Sequence, residues 1–158
     1  MNSSRGLFAV STVLAVLLVA AGGWAAVRDR YLIVPGRAAG PAVLGMPGQE
    51  LVRQLGRPSG EVRAQAQARL SWPGLGLTVR LDGDGKVDAV FVESPRFRTA
   101  EGVGVGSTRQ EVLAAFGATD RAQEDRSTLI LAYPALGISF AIRKDRDRVE
   151  LVMVYRPG

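Results

Sequence analysis

A chain of 158 residues, 47% of them apolar, can bury a core as one domain or as two small ones. It holds no cysteine and no histidine, which excludes disulfides, a lipid-bearing lipobox cysteine and thiolate metal sites. The net charge of +5 is spread evenly, nine basic against seven acidic groups in residues 28–95 and ten against eight in residues 96–158. A nucleic-acid interface would concentrate positive charge on one element, so none is expected.

Residues 7–27, LFAVSTVLAVLLVAAGGWAAV, form an uncharged apolar run. As a helix the run would reach roughly 31 Å, against a hydrocarbon core of ~30 Å. Trp24 near its end suits the membrane interface. Residues 1–27 are therefore expected to be a transmembrane helix or signal anchor, a single pass into the membrane. The alternative is a cleaved signal peptide, with small residues at Ala21 and Gly23 or at Gly23 and Ala25, and a secreted product. Arg5 and the amino terminus face Arg28 and Arg30 across the span, so charge does not set its orientation. Residues 28–41, punctuated by Pro35-Gly36 and Gly40-Pro41, read as a linker.

Everything after residue 40 reads as a tandem duplication: repeat 1 over residues 42–95 and repeat 2 over residues 96–158. AVLGMPGQELVRQL at residues 42–55 returns as VGVGSTRQEVLAAF at residues 103–116. Gly45, Glu50 and Gly56 match Gly106, Glu111 and Gly117, and Trp72-Pro73-Gly74-Leu75-Gly76 matches Tyr133-Pro134-Ala135-Leu136-Gly137. Ser107 followed by Gln110 predicts a capping box, and Pro47 fits the first helical position of the other copy. With Gly56 and Gly117 as left-handed caps, helices are expected over residues 47–55 and 108–116. Their buried stripes are Leu51, Val52, Leu55 and Val112, Leu113, Phe116.

Three strands follow each helix. Residues 60–72 alternate Ala64, Ala66, Ala68, Leu70 and Trp72 with polar residues, and their copy at residues 127–133, STLILAY, is plainly strand-like. A turn at Pro73-Gly74 would set Trp72 against Leu75 and Leu70 against Leu77. Asp84-Gly85 predicts a two-residue type I′ hairpin, with Leu81 against Asp88, Val79 against Val90 and Leu77 against Val92. That register leaves Val87, Ala89 and Phe91, with Val149, Leu151, Met153 and Tyr155 in the copy, on the face away from the helix. Apolar residues on both faces mean that the repeats cover each other, continue into one sheet, or present a docking surface. The expected class is α+β: two tandem helix–β-meander repeats, α-β-β-β each, with antiparallel sheets, behind one N-terminal transmembrane or signal helix.

No motif carries chemistry. Gly102-Val103-Gly104-Val105-Gly106-Ser107-Thr108 lacks the lysine of a phosphate loop and reads as the approach to a capped helix. Asp82-Gly83-Asp84-Gly85 would fill the middle of a calcium loop, yet Arg80 and Phe91 stand at its two defining ligand positions. No Ser-x-x-Lys spacing occurs, and the carboxylates are scattered among arginines. No catalytic residue, metal site or cofactor is expected. The candidate partner-binding residues are Phe91, Met153 and Tyr155 on the outward stripes, with Arg69 and Arg80 on the adjoining basic row.

The string Gly45-Met46-Pro47-x-x-Glu50-Leu51-Val52-x-x-Leu55-Gly56-x-Pro58 resembles the SmpA/OmlA-like family, and two copies in tandem resemble the β-lactamase-inhibitor-protein-like group. Ser107 replaces the methionine and Thr119 the proline in the second copy. The resemblance implies a periplasmic or otherwise extracytoplasmic setting in the cell envelope and binding to another protein without catalysis. The expectation is therefore a membrane-anchored, non-catalytic interaction module with an envelope protein partner. A lipid- or glycan-binding module and a carboxylate-dependent enzyme are the alternatives.

Overall fold

A computed structural model describes residues 30–64, 67–119 and 121–158. Two sheets organise it. Strands β1 (Leu32–Val34), β2 (Ala38–Ala39), β3 (Ala42–Val43) and β8 (Arg98–Thr99) form a small sheet in the order β3-β2-β1-β8. The large sheet takes β4 (Gly60–Ala64), β5 (Gln67–Trp72), β6 (Leu77–Leu81) and β7 (Val87–Val92) from one half. From the other half it takes β9 (Arg121–Glu124), β10 (Thr128–Tyr133), β11 (Ile138–Arg143) and β12 (Arg148–Tyr155). Its order is β4-β5-β6-β7-β12-β11-β10-β9, antiparallel throughout. The last strands of the two halves pair, Val90 with Val154 and Val92 with Val152, so the halves share a single sheet.

This corrects the expected α+β class of two α-β-β-β repeats behind a transmembrane helix. The described chain is β-rich, with twelve strands and two helices of eight residues each, α1 (Gly48–Leu55) and α2 (Arg109–Phe116). Each half supplies four strands to the large sheet: residues 60–72, read as one strand, form the hairpin β4–β5, and β9, ahead of the strand read at residues 127–133, pairs with β10. The residues read as a linker hold β1 and β2, whose Ile33, Ala38 and Ala39 are buried. The expected transmembrane helix or signal anchor is corrected as well: among the described residues no helix is long and apolar enough to cross a membrane. Residues 7–27, on which that expectation rests, lie outside the described residues.

Both helices and the small sheet pack on one face of the large sheet. Leu51 and Val112 are fully buried there against Val79, Val90, Phe140 and Val152, and Ile33, Ala39 and Phe97 belong to the same cluster. The two halves make matching contacts. Gly45 N donates to Val87 O (2.7 Å) and Gly106 N to Val149 O (2.8 Å), while Val87 N and Val149 N return bonds to Met46 O and Ser107 O. Trp72 Nε1 donates to Gly56 O (3.0 Å) at the end of α1, and Tyr133 Oη donates to Gly117 O (2.8 Å) at the end of α2. Each aromatic ring thus satisfies a carbonyl that a helix end leaves open. Burial raises the Tyr133 phenol pKa above its ordinary value.

Local registers differ from expectation for identifiable reasons. The α2 cap is Thr108 in a reciprocal box with Glu111, and Pro47 sits at the N-cap of α1, so both helices start one residue later than predicted. Ser107 is buried instead, where its Oγ accepts from Gly104 N (3.1 Å) and Arg98 (3.0 Å). A 3₁₀ turn over Pro73–Leu75 lengthens the β5–β6 connection, setting Trp72 against Leu77 and Leu70 against Val79. The shift is two residues, so the predicted face is kept. The β6–β7 turn is not type I′. Gly85 N bonds Asp82 O across Gly83 and Asp84, and only Gly85 takes a positive φ, +73°.

The matching position in the second half is Asp147, whose φ of +49° makes it the one non-glycine residue in this region among those described. Asp147→Gly relieves roughly 1 kcal/mol of left-handed strain and returns part of it through the freer unfolded chain. The expected net gain is about 0.5 kcal/mol, read as a shifted urea midpoint at unchanged slope.

Candidate functional site

The second face of the large sheet carries no helix among the described residues, and the two halves meet at its centre. Across the strands one row runs Ser71, Thr78, Phe91, Met153, Ser139, Ala132, and the next runs Arg69, Arg80, Ala89, Tyr155. All five sequence-derived candidates, Phe91, Met153, Tyr155, Arg69 and Arg80, therefore share one continuous surface across the β7–β12 seam. Arg69 lies over the Phe91 ring, its guanidinium carbon 5.2 Å from the centroid. That cation–π contact covers part of Phe91 and directs the charge along the sheet.

Two β-bulges shape this face. Arg80 pairs with Ala89 and Leu81 with Val87, so Asp88 has no residue opposite. Ala141 pairs with Leu151 and Ile142 with Val149, which leaves Glu150 as the matching extra residue. A bulge flips the alternation beyond it, and this corrects the predicted faces of Val87 and Val149, which are buried on the helix side. It corrects the predicted Leu81–Asp88 pair too. Asp88 turns to the open face, where its Oδ1 accepts from Arg80 Nε at 2.8 Å.

Between this ion pair and the far half lies a groove of about 660 Å³. Small residues form its floor: Ala89, Ala132 and Ser139. Ile130, Met153 and Tyr155 supply its apolar sides, and Gln123 and Arg156 stand at its rim. Ser139 Oγ donates to Tyr155 Oη (3.1 Å), which in turn reaches Ile138 O (3.3 Å), so the ring is fixed by its polar end. The floor residues and Asp88 were not legible as site residues. Alanine and serine in a strand carry no functional signal, and the bulge that turns Asp88 outward leaves no mark in a valine–aspartate alternation.

Two carboxylates, Asp82 and Asp88, line the groove. Asp88 is engaged by Arg80, Asp82 accepts from the amides of Asp84 and Lys86, and the Ser139 hydroxyl has the Tyr155 phenol beside it. Beyond the rim, a side-chain hydrogen bond and the charge of Lys144 hold Glu124 below its ordinary carboxylate value. The amides of Ser127 and Thr128 do the same for Asp125. Both carboxyls are thereby favoured in their ionised form. Among the described residues, no group of three or more acidic side chains stands close enough to hold a metal ion.

No family model matches the chain, and no curated protein matches it. Solved structures share its fold. The uncharacterized protein yfeY from Escherichia coli superposes with a TM-score of 0.54 at 15% identity, covering 78% of this chain and 99% of its own. A cysteine-rich secretory protein from Staphylococcus aureus gives 0.53 at 10% identity over 78% of this chain. An extracellular protein containing an SCP domain from Bacillus anthracis gives 0.51 at 10% identity over 72%. The chain spans about half the length of the last two, 47% and 44%. At these identities the similarity is one of fold.

Proposed function

We propose that this chain is a non-catalytic, extracytoplasmic module of the cell envelope that binds a protein partner through the open face of its eight-stranded sheet. One observation carries the reading: Phe91, Met153 and Tyr155 line a face that carries no helix among the described residues, on both sides of the seam and beside a small-residue groove. Aromatic and methionine side chains over a shallow apolar floor suit the buried centre of a protein interface. The extracytoplasmic setting is supported by two structural neighbours described as an extracellular and a secretory protein, and by the SmpA/OmlA-like helix motif. Lipid or glycan binding by a basic face is the weaker reading, because Arg80 is neutralised by Asp88 and Arg69 stacks on Phe91.

A photo-reactive residue at position 91 tests this in the full chain. Adducts to an envelope protein are expected from position 91 and not from position 49, an exposed site on α1. Met153→Glu is expected to reduce the position-91 adduct by at least about tenfold, as removal of a central contact does. Equal adducts from both positions, or no effect of Met153→Glu, would overturn the proposal.

A further inference from the structure

Among the described residues the large sheet ends in two strands that pair on one side only, β4 and β9. An edge strand presents unpaired amides and carbonyls, and proteins normally guard such edges with charge. Strand β4 reads Gly60-Glu61-Val62-Arg63-Ala64, and all five residues are exposed. Val62, at its midpoint, is 65% exposed, the most exposed large apolar side chain among the described residues. Its register against Arg69 places it on the open face, while Glu61 and Arg63 point to the other side.

We propose that β4 docks a second copy of this chain, edge to edge and antiparallel, about a two-fold axis through Val62. The strand is its own complement in that register. Read in reverse, Glu61 falls opposite the other copy's Arg63 and Arg63 opposite its Glu61. Gly60 faces Ala64, and Val62 meets Val62. Within one copy Arg63 Nε already donates to Glu61 Oε1 (2.6 Å), but with the arginine side chain 79% exposed the pair is solvated and contributes little. Across the axis the four groups alternate in sign on one face of the new strand pair, and opposite charges directly across antiparallel strands attract. The contact is isologous, so it closes at two copies instead of growing. An unrelated strand would meet this edge with mismatched charges, which selects a second copy over a foreign strand.

The other edge fits less well. Strand β9, Arg121-Ala122-Gln123-Glu124, could also oppose arginine to glutamate. Its midpoint falls between Ala122 and Gln123, where no large apolar side chain stands, and Glu124 is already bound by Lys144. This inference is independent of the partner-binding reading, which concerns the sheet face.

The absence of cysteine supplies a clean test in the full chain. Residues directly opposite in an antiparallel pair have Cα atoms about 4.5–5.5 Å apart, within the roughly 4.4–6.8 Å that a disulfide spans. Under mild oxidation Val62→Cys is expected to give a disulfide-linked dimer much faster than Val43→Cys, at a site 40% exposed, or Ala122→Cys on the opposite edge. Adding Glu61→Arg or Arg63→Glu alone sets like charges across the axis and is expected to slow linking by about tenfold. Adding both restores complementarity and the original rate. These positions are exposed, and circular dichroism checks that each variant stays folded. Linking at residue 62 no faster than at residue 43, failure of the double reversal to recover, or mixed disulfides to another protein in place of the dimer would each overturn the proposal.

Discussion

Phe140→Ala is expected to destabilise the protein by about 3–5 kcal/mol, a fall in Tm of at least 10 °C or so. Phe140 is fully buried at the centre of β11, its ring 5.1 Å from Phe116 on α2 and 6.2 Å from Tyr133. Phe116 and Tyr133 are themselves 5.5 Å apart. The three rings fasten α2 to the sheet, and no neighbour can collapse into the space of Phe140, because its strand is held on both sides by Leu131 and Val152. The equivalent residue of the first half is Val79, equally buried but smaller, with Leu55 and Trp72 at the positions that match Phe116 and Tyr133. Val79→Ala should therefore cost less, about 1.5–2.5 kcal/mol. Urea unfolding of the two variants checks this asymmetry. Equal losses would mean that the surroundings of Phe140 collapse into the space its ring leaves.

The second large effect is expected at Gly137, where Gly137→Ala should cost about 2–4 kcal/mol from left-handed strain and forced overlap together. The residue has a φ of +70°, and a Cβ there would lie 2.2 Å from Tyr155 O and 2.6 Å from Gly36 Cα. Both obstacles are backbone and neither can swing aside. Three parts of the chain meet at this point: Gly36 N and Tyr155 N both donate to Gly137 O, at 3.2 and 3.0 Å. Amide exchange at Gly36 and Tyr155 should accelerate in the variant before the rest of the sheet is affected. Gly102 is the control, since its φ is +82° with nothing within 4 Å of the added Cβ. Gly102→Ala should carry the strain alone, roughly 1 kcal/mol. A Gly137 variant no less stable than the Gly102 variant would show that the junction yields.

What could be read beforehand was whatever the duplication printed twice. The glycine-capped helices and the inward alternation of Leu77, Val79 and Leu81 appear in both copies, so each could check the other. The hairpin that makes β4 could not be read, because Ala64-Gln65-Ala66-Gln67 has no glycine, proline or asparagine and its alternation runs straight through the reversal. The bulges were hidden for a related reason: an extra residue changes pairing without changing composition. Strands of two residues, as in β2 and β3, are too short to show any period. Phe91, Met153 and Tyr155 came from the apolar second face of the last strands, a signal that survives register errors of two, and Arg69 and Arg80 came from the adjoining basic row. The groove floor is made of alanine and serine and becomes visible only when strands from both halves lie side by side.

Joining the halves through β7 and β12 also sets an order of events during synthesis. Strand β7 is complete at Val92, but the strand that closes its free side ends at Tyr155, roughly 60 residues later. At about 5–20 residues per second that is a wait of roughly 3–12 s. For that interval the nascent chain shows neighbouring ribosomes a bare edge built from Val87, Ala89, Val90, Phe91 and Val92. Within that stretch Asp88 is the only charge, so the residue that turns the bulge outward in the finished sheet is also the only electrostatic guard the growing chain has there.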